Sequence, residues 1–209
     1  MVLIPVLAVL ALAPNTSANN NDGVEQMFER FRTSVMARDG RATADTVSRA
    51  TIAVYENCRK LAISAKESEL ERLTQAEVLV VLRMRFAMER QALEKMDGRS
   101  LFEHSIDNGW TSDSSALEKM RLGKIRIEGD KAFATVVMEE KDVPGLEFDF
   151  VREKGQWRFD VTAFHTRAEP MFAQLRRSEN KTKVQLAMMF LERVYGEQMP
   201  KEILAGPLE

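Results

Sequence analysis

The chain is poor in the side chains around which covalent staples, metal centres and catalytic sites are usually built. Its 209 residues include one cysteine, two histidines, two tyrosines and two tryptophans. A single thiol, Cys58, excludes an internal disulfide framework and a cysteine-ligated zinc site together. It lies within a helical pattern, where it reads as a small buried hydrophobe. No HExxH sequence, no Ser-His-Asp order and no Gly-rich phosphate loop occurs, and nothing calls for a cofactor or a metal. Charge of one sign is also lacking. Thirty Lys and Arg stand against 32 Asp and Glu, for a net charge of -2, with no strong block of one sign in either half. That balance offers no general attraction to nucleic acid or anionic lipid, so a nucleic-acid partner is set aside. No internal repeat or low-complexity block stands out, and the length suits one domain with some extension better than two.

The N-terminal apolar run, residues 1–13, is shorter than the roughly 20 residues that span a bilayer. It suits the apolar region of a secretory signal, with Thr16-Ser17-Ala18 as small residues at a cleavage point and an Asn-rich start to the mature chain. Residues 1–18 are therefore expected to be a signal peptide, the protein to be extracytoplasmic (periplasmic or secreted), and the mature chain to lack a membrane span. No Lys or Arg precedes the run, which keeps open the alternative of a buried strand in a cytoplasmic protein. No cysteine follows it to take a lipid anchor.

What the chain has in quantity is amphipathic pattern. Val24, Met27, Phe28, Phe31 and Val35 recur at helical spacing, and "RDGR" at 38–41 stops that helix. A second helix is expected from Asp45 or Thr46 along the stripe Val47, Thr51, Val54, Cys58, Leu61, Ala62, Ala65. "TQAE" at 74–77 has capping-box form and opens the densest apolar run, read as one long helix with no Gly or Pro until Gly98. "SLFE" at 100–103 repeats that form, and Gly109 ends a short helix before Trp110.

Beyond a polar link the period changes to two. Ile125, Ile127, Ala132, Ala134, Val136 and Met138 share a face if the chain turns at Gly129-Asp130, with "DVPG" at 142–145 as the next turn. In "LEFDFVREKGQWRFDVTAF", 146–164, an even loop at Lys154-Gly155 sets Phe150 against Phe159, Phe148 against Val161 and Arg152 against Trp157. An odd loop would mix apolar with charged positions. After Phe164 helical spacing returns in 169–177 and in 180–197, and the last residues, "KEILAGPLE", read as a tail. The predicted fold class is α+β, with helices packed on a curved antiparallel four-stranded meander. Residues 19–165 form the domain and 166–209 a C-terminal helical extension.

Three helices, a short helix ending before a Trp, and a meander closing on "FVREKGQWRFD" resemble the nuclear transport factor 2-like, or SnoaL-like, superfamily of small α+β cones. The resemblance covers residues 24–165, and "MDGRSLFEHSIDNGW", 96–110, resembles segments of uncharacterised exported bacterial members. It implies a sheet curling to leave an apolar pocket. Members serve as isomerases, cyclases, dehydratases or binding modules without chemistry, so the fold alone selects none of these.

Candidate site residues are few. Arg83 and Arg85 interrupt an apolar helix, so at least one must snorkel to water, pair with an acidic group or await an anionic ligand. Tyr55 can present its hydroxyl to a pocket. His104 shares a helix face with Leu101 near Trp110, which makes it the candidate acid or base, while His165 reads as a surface residue. Asp149 and Asp160 fall opposite each other, on a face read as solvated with Arg158 diagonal to Asp149. The ligand-binding set is thus Arg83, Tyr55, Trp110 and His104. The expected function is an exported, non-catalytic binding or interaction module for a small apolar or anionic ligand or a protein partner. The alternative is a small-molecule isomerase or hydrolase using His104. A homodimer through the outer sheet face, where Phe133 and Val137 interrupt the polar pattern, is a third expectation.

Overall fold

The computed structural model describes residues 16–110 and 114–205, so the apolar run assigned to a signal lies outside the described residues. Helix α1 (Thr16–Met36) is followed by α2 (Gly40–Ala44), α3 (Arg49–Ser64), α4 (Glu67–Leu70), α5 (Gln75–Ala87), α6 (Arg90–Lys95), α7 (Gly98–Asp107) and α8 (Ser114–Lys119). Strands β1 (Met120–Glu128), β2 (Lys131–Met138), β3 (Lys141–Glu153) and β4 (Gln156–Asp160) form an antiparallel sheet in sequential order. Helices α9 (Val161–Glu179) and α10 (Lys183–Tyr195) and a 3-10 turn (Lys201–Leu204) close the described chain. The fold class is α+β, and among the described residues no helix is long and apolar enough to cross a membrane.

Local chemistry accounts for most element ends. The capping box at Thr74 and Glu77 is formed in both directions. Helix α3 starts later than the stripe suggests because the Ser48 hydroxyl, not Asp45 or Thr46, caps it by accepting from the Thr51 amide. "SLFE" is not a cap: Asp97 accepts from the Ser100 amide and starts α7 three residues earlier. Gly109 sits at φ +66 and donates its amide to the Ile106 carbonyl, as a helix C-terminus requires. The expected long third helix is broken, because Met88 turns to extended backbone (φ -138, ψ 140) and α6 restarts after Glu89.

In the sheet, Phe150 pairs with Phe159 and Arg152 with Trp157 across a two-residue turn in which Lys154 and Gly155 both have positive φ. The Gly129-Asp130 turn is also formed. "DVPG" does not turn the chain. Glu139 and Glu140 do, both at positive φ, and residues 143–146 bulge out of β3 opposite Val136. Phe148 does not pair with Val161, since the strand stops at Asp160 and α9 begins at once, its first turn capped by the Asp160 carboxylate.

Two apolar clusters result. One holds α1 against the sheet through Val24, Met27, Phe28, Ala132, Ala134, Phe150, Trp157 and Phe159. The other packs α3, α5, α7 and α10 through Cys58, Val78, Val81, Leu82, Leu101 and Leu191. Helix α7 approaches α3 closely at Gly98, where an added Cβ would come within 2.7 Å of the Ile52 carbonyl oxygen. The described part of the C-terminal segment, residues 166–205, packs onto the rest of the chain. Helix α9 runs straight through the expected boundary at 165/166, α10 buries Val184, Leu186, Ala187 and Leu191, and Ile203 is 5% exposed.

Candidate functional site

Between the two clusters lies a cavity of about 640 Å³. Phe31 of α1 and Phe148 and Phe159 of the sheet contribute one wall. Leu79, Val80 and Arg83 of α5, Phe102, Ser105 and Ile106 of α7, and Tyr55 of α3 contribute another. Phe164, His165 and Phe172 of α9 and Phe190, Leu191, Arg193 and Val194 of α10 complete it, with Trp110 beside α7. A cavity of this size and apolar lining matches the usual range for small-molecule sites. Among the described lining residues there is no carboxylate.

Three of the four residues expected to bind ligand converge here: Tyr55, Arg83 and Trp110. The Arg83 guanidinium donates from Nε to the Tyr195 hydroxyl at 3.1 Å and from Nη1 to the Trp110 carbonyl at 2.6 Å. Its carbon lies 5.6 Å from the Trp110 ring centroid and 5.4 Å from that of Tyr195, so two aromatic faces brace the cation. Tyr55 is 7% exposed, with its hydroxyl 3.5 Å from the Ser105 hydroxyl. Burial pushes the phenol up to about 12, so it stays protonated.

His104 is not on the wall. Its ring meets Trp110 edge-on at 5.2 Å, and its backbone carbonyl accepts from the Asn108 side chain at 2.8 Å. Arg85, one of the two candidates in the arginine pair, is also elsewhere. It is 5% exposed and donates only to main-chain carbonyls: Ala62 at 2.9 Å, Leu61 at 3.1 Å, Ala65, Ile203 at 3.2 Å and Leu204 at 3.4 Å. Neither arginine pairs with a described carboxylate. The facing Asp149 and Asp160 are held apart in role. Asp149 takes a bidentate grip from Arg167 of α9, at 2.5 and 3.0 Å, and Asp160 caps α9, so Arg158 is not the partner.

His165 corrects the surface reading. It sits in the first turns of α9 and lines the cavity. The spacing of Val161, Phe164, His165, Ala168 and Phe172 is a helical stripe that was present in the sequence, and it overlaps an alternation that also suits a strand. Burial pulls this imidazole below its ordinary 6.5, against the opposing pull of the Glu77 and Asp160 carboxylates. A histidine lowered in the folded state leaves the unfolded chain to bind the proton first. Its contribution to stability is therefore complete above about pH 6.5 and declines as pH falls through that value. The melting temperature should drop between pH 7 and 5, and His165→Gln should flatten that slope. Parallel slopes for the two proteins would contradict the assignment. No family model, curated protein or solved structure matches the chain.

Proposed function

We propose that this chain is an exported, non-catalytic binding module that takes a small apolar ligand into the cavity between helices and sheet. Its sheet and helices are read as a cone of the nuclear transport factor 2-like kind. The observation that carries the reading is the cavity's chemistry. Its wall is aromatic and aliphatic, its described lining lacks a carboxylate, and its phenol and imidazole are both held in the neutral form at pH 7. A general acid or base works best when its pKa lies near the operating pH. Tyr55 is moved away from that range. The alternative, an isomerase or hydrolase using His104, loses its support because that ring is not on the cavity wall.

Nile red, a neutral probe that brightens in apolar surroundings, tests the site without invoking charge. It should bind with one site per chain, and Ala76→Trp, which adds bulk to the wall, should abolish binding while leaving the circular dichroism unchanged. Unaltered binding to that variant would overturn the site. Export rests on the apolar run at residues 1–13, and N-terminal sequencing of protein recovered from cells tests it. A mature chain starting near Asn19 agrees; one starting at Met1 does not.

A further inference from the structure

The cavity has one polar feature that packing leaves unexplained. Five other part-buried arginines are matched to carboxylates: Arg32 to Glu29, Arg59 to Glu56, Arg90 to Glu94, Arg167 to Asp149 and Arg176 to Glu169, while Arg158 donates to the Gln156 side chain on the sheet. Arg85 has none but is saturated by main-chain oxygens. Arg83, two residues earlier on the same helix, has neither arrangement. Its five N–H donors meet two neutral oxygens, those of Tyr195 and Trp110, and no further acceptor among the described residues.

Those contacts also fix the cation in place. The Nε bond ties it to α10, the Nη1 bond to the chain after α7, and two ring faces flank it. A guanidinium held this way has already lost its rotamer freedom, so an anion that meets its remaining N–H groups gains a charge-assisted bond without the cost of ordering the side chain. A charge on an apolar wall without a counter-ion is costly to keep, and a bound anion relieves that cost.

Resting on the binding role proposed above, we infer that the ligand is an amphipathic carboxylate whose head group is received by Arg83 and whose apolar body lies against the phenylalanines. The head carries a single negative charge. One guanidinium neutralises a carboxylate, whereas a doubly charged phosphomonoester would bring uncompensated charge into an aromatic cavity. Arg193, an exposed residue of α10 that lines the same cavity, adds positive potential there.

The test compares decanoic acid, ionised at pH 7.5, with 1-decanol as displacers of Nile red. Decanoate should displace the probe from the natural protein at a concentration about tenfold lower than decanol. Arg83→Gln should raise the decanoate concentration needed by about tenfold and leave decanol unchanged. Equal potency of acid and alcohol on the natural protein overturns the head-group assignment and leaves the cavity reading standing. So does an Arg83→Gln protein that still prefers the acid. Failure of both compounds to displace the probe overturns the cavity reading and the assignment with it. The comparison on the natural protein decides even where Arg83→Gln does not fold. Arg83→Lys then supplies a charged variant, which should retain a weaker preference for the acid.

Discussion

Arg85→Met should cost about 3–5 kcal/mol of folding stability, far more than an average core substitution. The methionine fills much of the same volume, so the loss is one of polar partners. In the folded protein Arg85 lies beneath the C-terminal end of α3 and donates to the carbonyls of Leu61, Ala62 and Ala65; Ala62 is among the last four residues of the helix, whose carbonyls lack a partner within it, and Leu61 also accepts from the Ala65 amide. The positive charge also sits at the negative end of that helix, which is how a buried cation persists without a carboxylate. Burial pulls its pKa below the usual arginine value, yet arginine keeps its proton. The same side chain reaches Ile203 and Leu204, so the variant should also loosen the closing 3-10 turn from the core. Urea unfolding measures the difference. A loss below about 1 kcal/mol would mean that water or other donors satisfy those carbonyls.

Phe159→Ala is the second large effect, also about 3–5 kcal/mol. Its ring lies 4.7 Å from Phe31, 5.0 Å from Phe148, 5.4 Å from Phe150 and 6.1 Å from Phe28 by centroid, and it is 5% exposed. Its backbone fastens the loop before α3 to the sheet, donating to the Thr46 carbonyl and accepting from the Ser48 amide, both at 2.9 Å. Those main-chain bonds survive the substitution; the aromatic contacts do not. Phe133→Ala, on the opposite face of the sheet where Arg126 lies 4.4 Å over the ring, should cost under about 1 kcal/mol. Similar losses at the two positions would contradict the division between inner and outer faces. The Phe159 variant should still bind Nile red, since removing the ring enlarges the cavity and leaves its polar groups untouched.

What the sequence disclosed and what it hid follow from the range of the interactions. The last hairpin was legible because side-chain alternation and a Lys-Gly turn agree on one register, and a one-residue slip would turn Phe150 and Phe159 to the other face. The capping box at Thr74 was legible for the same local reason. The break at Met88 carries no Gly or Pro signal; tertiary packing, not propensity, sets it. The Glu139–Glu140 turn places two ordinary residues at positive φ, which diverted the turn reading to the Pro144-Gly145 pair beyond it. Of the residues that meet at the cavity, Arg83 stood out as a charge interrupting an apolar helix, Tyr55 for the hydroxyl it can present and Trp110 as the aromatic after a short helix. His165 was missed because residues 156–164 satisfy both periods, and only the Asp160 cap decides where strand becomes helix. That two arginines two residues apart have opposite surroundings is a long-range fact: the 3-10 turn at Lys201–Leu204 meets Arg85 and not Arg83.

The most direct test of the cavity as the binding site is amide chemical-shift mapping by NMR during titration with decanoic acid. Shifts should saturate together and concentrate on Tyr55, Ser105, Phe164 and His165, four lining positions from three helices, with Phe133 and Val151 on the outer sheet face unmoved. Shifts confined to the outer face, or none at concentrations that displace Nile red, would contradict the account.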